Sequence, residues 1–396
     1  MGGGRTGATS HIPRRDLIGL MVAGTLGRAP VVVIPIATLL LVAHHSTLTL
    51  GGFASGAASL GAGLIGMFLG RRLEGGRARA ALVVAALLHV PATAVFIAVA
   101  DSTNRLVLVA AGFAIGLTVP PIGPVVRARM GGLAAGAPAT ELRRMFAWDS
   151  LSVELSWVGA PLLVSLAIVI QGPALAVALS PALALVGVAA TGRGPVAPGA
   201  ETTAVTSWVS PAVLRLAVAF GLTGIAWRVV TIGVTELARQ QGSDRWTGPL
   251  IAFWAFGSVV GAWAATRRDM PGVLPLSTAV GVTVLPLAVN GLSLPLTFVL
   301  VFIAGLPTAA FVAALNAVVT EVVEQSAHAR AFSMAQAANT IMAAVGAPLA
   351  AWAIDRGLMS AVFVAGALLL AASGWTSPRS PSALARGSGL REQPAA

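Results

Sequence analysis

Charge is scarce in this chain, and three charged residues stand deep inside apolar stretches: Arg28, Glu154 and Arg228. Arg28 follows Arg15 by 13 residues, and Arg228 follows Arg215 by the same interval. At about 1.5 Å of helical rise per residue, each guanidinium starts roughly 20 Å from a basic anchor, and Glu154 starts about 15 Å from Arg144. An ionised group at that depth in an apolar medium costs at least ~2.5 kcal/mol and normally turns to a partner or a water-filled cavity. Two kinds of chemistry fit. The arginines can attract an anion or respond to protons, or each can be locked by a carboxylate or carbonyl inside its own bundle. Burial favours the neutral form of Glu154 and a neighbouring Arg its charged form, which brings proton uptake and release within reach. Depth and charge predict that Arg28 meets Glu154, with a purely structural ion pair as the alternative. Arg228 is expected to face a cavity or Gln336 and Asn339, which replace a carboxylate in the corresponding later stretch.

Those residues are positioned by a chain built for a bilayer. Its 396 residues are 56% hydrophobic and 10% charged, with a mean hydropathy of +0.87, outside the range of water-soluble domains. Apolar runs lie near 16–43, 48–70, 79–100, 105–129, 145–170, 173–191, 209–235, 246–266, 272–290, 293–322, 329–354 and 359–375. Each is long enough for a hydrocarbon core of about 30 Å. Helices are required, because open strands in lipid leave backbone N–H and C=O groups unsatisfied, and barrel-type alternation is absent. The fold class is therefore all-α integral membrane, with twelve transmembrane helices; the first run is read as an uncleaved helix.

All 25 basic residues are Arg. Nineteen of them fall in the N-terminus, alternate loops and C-terminus, against Arg105, Arg239, Arg245 and Arg356 on the other side. That asymmetry predicts a multi-pass protein of the cytoplasmic membrane with both termini cytoplasmic. The basic excess does not form the long runs expected of a nucleic-acid binder. No Cys is present, which excludes disulfides and thiolate sites. No phosphate-binding loop and no Ser, His and Asp constellation or metal-ligand spacing occurs, so an enzyme, a cofactor and a metal are not expected. His44, His45, His89 and His328 read as bystanders. Asp149, Glu236, Glu321 and Glu324 read as helix-end acids within reach of solvent.

Residues 191–207 are rich in Gly, Pro, Thr and Ser and read as a cytoplasmic linker. It divides the chain into an N-terminal six-helix half (1–190) and a C-terminal six-helix half (208–378), followed by a cytoplasmic tail (379–396). The halves repeat. Arg15, Gly24 and Arg28 match Arg215, Gly224 and Arg228 at an offset of 200. Gly61, Arg71 and Arg72 match Gly257, Arg267 and Arg268 at 196; Phe113, Gly116 and Leu117 match Phe302, Gly305 and Leu306 at 189. The segment Val158–Leu162 matches Val345–Leu349 at 187. Pro161 and Pro348, each after Gly-Ala, are expected to kink their helices where the halves meet.

Together with Gly66–Arg77, the Gly and Pro-rich stretch Gly112–Met130, Glu154–Pro161 and Ala252–Trp263, this pattern resembles the major facilitator superfamily over residues 14 to 376, in particular actinobacterial efflux-type members. Gly70 stands where the family's loop motif has an Asp, and the Arg tied to proton coupling in many drug antiporters has no counterpart. The resemblance implies two halves rocking about a midplane site lined by the first and seventh helices. By position, Arg71, Arg72, Arg267 and Arg268 read either as markers of topology or as a cytoplasmic gate that pairs with helix ends across the halves. The resemblance also implies a monomer exporting a small molecule in exchange for protons. Uptake or exchange of an anionic metabolite through Arg28 and Arg228, and a receptor that binds without cycling, are the rivals.

Overall fold

The computed structural model describes residues 14–70, 78–133, 139–192, 210–265, 267, 271–323 and 328–378. The chain forms helices α1 (Arg14–His45), α2 (Leu48–Gly70), α3 (Ala78–Ala98), α4 (Arg105–Leu117), α5 (Ile122–Leu133), α6 (Ala139–Gln171), α7 (Pro173–Ala190), α8 (Pro211–Gln240), α9 (Thr247–Ala265), α10 (Val273–Val284), α11 (Leu294–Gly305), α12 (Thr308–Val322), α13 (His328–Asp355) and α14 (Met359–Thr376). Among the described residues eleven spans are long and apolar enough to cross a membrane, and Val273–Ala288 is a shorter apolar helix. The all-helical membrane fold read from the sequence is thus present, with α4 and α5 sharing one span and α11 and α12 another.

Both breaks have a local cause. Thr118–Pro121 separates α4 from α5, and Leu306–Pro307 separates α11 from α12; Pro120, Pro121 and Pro307 each lack the N–H that would continue the helix. The breaks occupy equivalent places in the repeat, because Leu117 corresponds to Leu306. Helix starts follow equally local rules. The Ser210 hydroxyl accepts from the Val213 N–H at the head of α8, and the Asn104 side chain accepts from the Leu106 N–H at the head of α4; each satisfies a donor that the first turn leaves free. Gly172, at φ 93°, makes the turn from α6 into α7, a backbone region closed to most side chains.

Packing obeys the bilayer rather than water. Large apolar side chains such as Leu106 (77% exposed) and Ile170 (66%) point outward, where lipid solvates them, and helices associate through small residues and close backbone contact. Several glycines serve this purpose. A Cβ on Gly61 in α2 would collide with the carbonyl of Phe113 in α4, and one on Gly257 in α9 with the carbonyl of Phe302 in α11. A Cβ on Gly24 in α1 would meet Ser152 in α6, and one on Gly224 in α8 would meet Asn339 in α13. Both pairs of contacts recur at the offsets of the sequence repeat, so the pseudo-symmetry holds in space.

The helices α1–α7 enclose two buried apolar clusters, one around Ile34, Phe96 and Ile115 and one around Leu20, Leu82 and Met130, and α8–α14 enclose another. A smaller cluster joins them: Leu39, Ala43 and Leu48 pack with Val229, Ile232, Ala347, Ala351 and Val362. This seam lies toward the α1–α2 turn.

Candidate functional site

Helix α6 begins at Ala139, well before the apolar run from which its start was read. Asp149 therefore lies inside the helix, only 4% exposed. Helical phase decides what it meets. Asp149, Ser152 and Ser156 fall at i, i+3 and i+7, a single stripe, and that stripe faces α1. The Arg28 guanidinium donates to Asp149 Oδ1 at 2.5 Å and to Ser152 Oγ at 2.7 Å, with longer 3.5 Å contacts to the carbonyls of Gly24 and Gly123. The second oxygen of Asp149 accepts from Arg127 Nε at 2.8 Å. Ser156 donates to the Thr25 carbonyl at 2.7 Å, extending the contact one turn further.

This arrangement corrects two expectations. Arg28 pairs with Asp149 rather than with Glu154, and Asp149 is a buried ion-pair partner rather than a solvent-exposed helix-end acid. Glu154 follows Asp149 by five residues, about 140° around the helix, which turns it off the α1-facing stripe. Among the described residues Glu154 has no hydrogen-bond or ion-pair partner and is half-buried. The polar spacing Asp149, Ser152, Ser156 was present in the sequence and marks the correct face.

Arg228 differs from its repeat counterpart. Its Nη2 donates to Ser59 Oγ on α2 at 3.0 Å, across the seam between the halves, and its Nε is buried with no partner among the described residues. Of the two expected surroundings, a cavity or Gln336 and Asn339, the contact with Gln336 and Asn339 is not made among the described residues. Asn339 instead donates its amide to the Phe220 carbonyl at 3.0 Å, and Gln336 is exposed. The nearby Trp227 and Trp254 stack edge to face at 5.7 Å, and Trp254 donates to Thr308.

Pro161 and Pro348 lie inside α6 and α13, and both sit where the halves touch. Gly248 of α9 presses on the Pro161 carbonyl, while Gly52 and Gly56 of α2 press on Pro348 and the Ala344 carbonyl. The two interfaces, α6 with α9 and α2 with α13, are counterparts in the repeat. Their tightness is uneven. Toward the α1–α2 turn they are closed: Asp355 Oδ2 accepts from the N–H and hydroxyl of Thr49 at 2.7 and 2.6 Å, and the Gly248 N–H donates to Ser165 Oγ at 2.8 Å. Further along α2 a Cβ on Gly63 would still collide with Thr340 of α13, whereas one on Gly66 would have no heavy atom within 4 Å. A crevice of about 770 Å³ beside the closed end is lined by His44, Glu236, Arg239, Asp244 and Asp355 among others.

Of the remaining candidates, Arg71, Arg72 and Arg268 lie outside the described residues, as do most of the 191–207 linker and the 379–396 tail. Arg267 is exposed, its guanidinium 3.7 Å over the ring of Trp263. His89 is more than a bystander in packing terms. It is fully buried, with Nδ1 2.9 Å from Thr118 Oγ1 and Nε2 2.7 Å from Ser180 Oγ, and ties α3 to the α4 break and α7.

The sequence matches no protein-family model and no curated protein. Solved structures do match. A bacterial homologue of the human lysosomal transporter Spinster, in an inward-facing and occupied conformation, superposes with a TM-score of 0.65 at 14% identity, covering 91% of this chain and 93% of that one. A D-xylose–proton symporter gives 0.66 at 14% identity, covering 93% and 98%. A POT family transporter in complex with a thioalcohol-conjugated peptide gives 0.69 at 12% identity, covering 91% and 95%. The chain shares the fold of these solved transporters.

Proposed function

We propose that this chain is a secondary active transporter that moves a small molecule across the cytoplasmic membrane by alternating access, with both termini cytoplasmic. One observation carries the reading. The two symmetry-related interfaces between the halves are glycine-tight and hydrogen-bonded at the α1–α2 end, and on α2, beyond the Gly63–Thr340 contact, a side chain at Gly66 would meet open space. A pair of rigid six-helix bodies in contact at one end of a shared seam is the arrangement that rocking about a midplane site requires. With the arginine-poor turns outside, the closed end is the outer gate and the cavity opens inward. In this reading Arg28, Arg228, Gln336 and Asn339 border the central pathway, Pro161 and Pro348 shape its walls, and residues 191–207 link the halves.

Export in exchange for protons is the direction we favour, and Glu154 is its coupling group. A carboxylate within a membrane helix and without a partner among the described residues is free to take and release a proton. Asp149 is already committed to two arginines. Flux of radiolabelled compounds in proteoliposomes, with and without an imposed pH gradient, is the test. Uptake that ignores the gradient removes proton coupling. A chain whose single introduced cysteines never change accessibility between the two faces is not an alternating-access carrier.

A further inference from the structure

We infer that Arg228 is the ligand-binding cation of the seam, receiving the acidic group of a small organic monoanion, and that Arg28 is not. This deepens the transport reading above and rests on it.

The argument starts from the repeat. Gly24 meets Ser152 where Gly224 meets Asn339, so α6 and α13 correspond at an offset of 187 in space as in sequence. The same offset carries Asp149 onto Gln336. The first half therefore gives its membrane arginine a carboxylate, and the second half gives its counterpart a neutral amide. Asn339, standing where Ser152 helps to hold Arg28, spends its amide on the Phe220 carbonyl. Nothing on α13 thus neutralises Arg228, although α13 is the helix packed most closely against α8.

Arg228 consequently reaches out of its own half. Ser59 donates its hydroxyl proton to the Ser55 carbonyl at 2.9 Å, so its oxygen is what receives the Arg228 N–H. That leaves one guanidinium, of five N–H donors, with a single described acceptor and a buried, unpartnered Nε. A planar fork of donors at the meeting line of two bodies matches a carboxylate or phosphate group. The charge selects a monoanion, because the other membrane arginine, Arg28, already has its carboxylate. An anion held there touches Arg228 from one half beside Ser59 of the other, which is where a transported molecule must sit to favour one closure over the other.

Gln336→Glu tests this by restoring the missing symmetry. The readout is thermal unfolding of purified protein in nanodiscs with matched probes: acetate, benzoate and phenyl phosphate against acetamide, benzamide and phenol. The expected result is that at least one anion raises the melting temperature of the unmodified protein while its neutral partner does not. In Gln336→Glu and in Arg228→Gln the anion's apparent affinity should fall by about tenfold or more, as loss of a charge-assisted contact implies. Should Gln336→Glu fail to fold, Arg228→Gln gives the reading alone. The inference is overturned if no probe anion stabilises the unmodified protein, or if Arg228→Gln responds to the anion as strongly as the unmodified protein does. Cysteine accessibility from the two faces needs no ligand, so alternation can stand while the anion site falls.

Discussion

Arg28 and Asp149 are joined across α1 and α6 at 2.5 Å, with the side chains only 13% and 5% exposed. The pair is the charge-bearing knot of the first half. Arg127, 61% exposed, closes the other face of the carboxylate. Removing Asp149 leaves Arg28 buried beside Ser152 with no anion, and removing Arg28 leaves Asp149 held only by a solvent-facing partner. Asp149→Asn and Arg28→Gln should each destabilise by ~3–5 kcal/mol, and the double variant by less than their sum. Chemical unfolding in mild detergent measures this. Strict additivity would mean that the two residues do not support each other.

Asp355 caps the first turn of α2 from the opposite half. It accepts both the N–H and the hydroxyl of Thr49. Cysteines at positions 49 and 355, bridged by a short bifunctional thiol reagent, should hold this end shut and stop transport, and a reducible bridge should allow recovery on reduction. The chain has no cysteine of its own, so the readout is clean. Full transport in the bridged protein would show that the two ends need not separate.

What the sequence made legible was whatever depends on period and repetition. The spans, their pairing across the linker and the depth of Arg28 and Arg228 follow from apolar run lengths and four constant offsets. The partner of Arg28 did not follow, for a definite reason. Depth was reckoned from the apolar run starting near 145, whereas α6 begins at Ala139 and carries Asp149 inside. Depth alone also says nothing of azimuth, and azimuth is what separates Asp149 from Glu154. The Ser59 contact of Arg228 was beyond reach, because it depends on how the two halves lean together, and no periodicity within either half encodes that.

The uneven tightness of the seam predicts uneven tolerance along it. A side chain at Gly248 must displace the Pro161 carbonyl and Ser165, whereas at Gly66 it meets open space. Gly248→Val should cost about 1–3 kcal/mol or hold the closed end apart, and Gly66→Val should be near neutral. Thermal unfolding compares the two directly. Reactivity of single cysteines at positions 66 and 248 gives an independent check, since position 66 should label from the cytoplasmic side and position 248 should resist until the outer end opens. Equal cost and equal labelling would contradict the proposed inward-open arrangement.

The coupling assignment turns on Glu154. Proton antiport needs a group whose protonation changes the relative energy of two conformations, and a carboxylate already fixed by two arginines serves poorly, because protonating Asp149 would leave the buried Arg28 without its anion. Glu154 carries no such commitment. Replacing it by Gln mimics the protonated form and removes the titration while keeping nearly the same volume. Glu154→Gln should therefore abolish transport driven by a pH gradient and leave substrate binding and passive exchange measurable. Asp149→Asn, by contrast, should lower stability and impair binding and exchange alike, since it loosens the α1–α6 contact. If Glu154→Gln still responds normally to the gradient, the proton is carried elsewhere, and Glu236, beside Arg239 at 3.4 Å near the outer crevice, becomes the next carboxylate to replace.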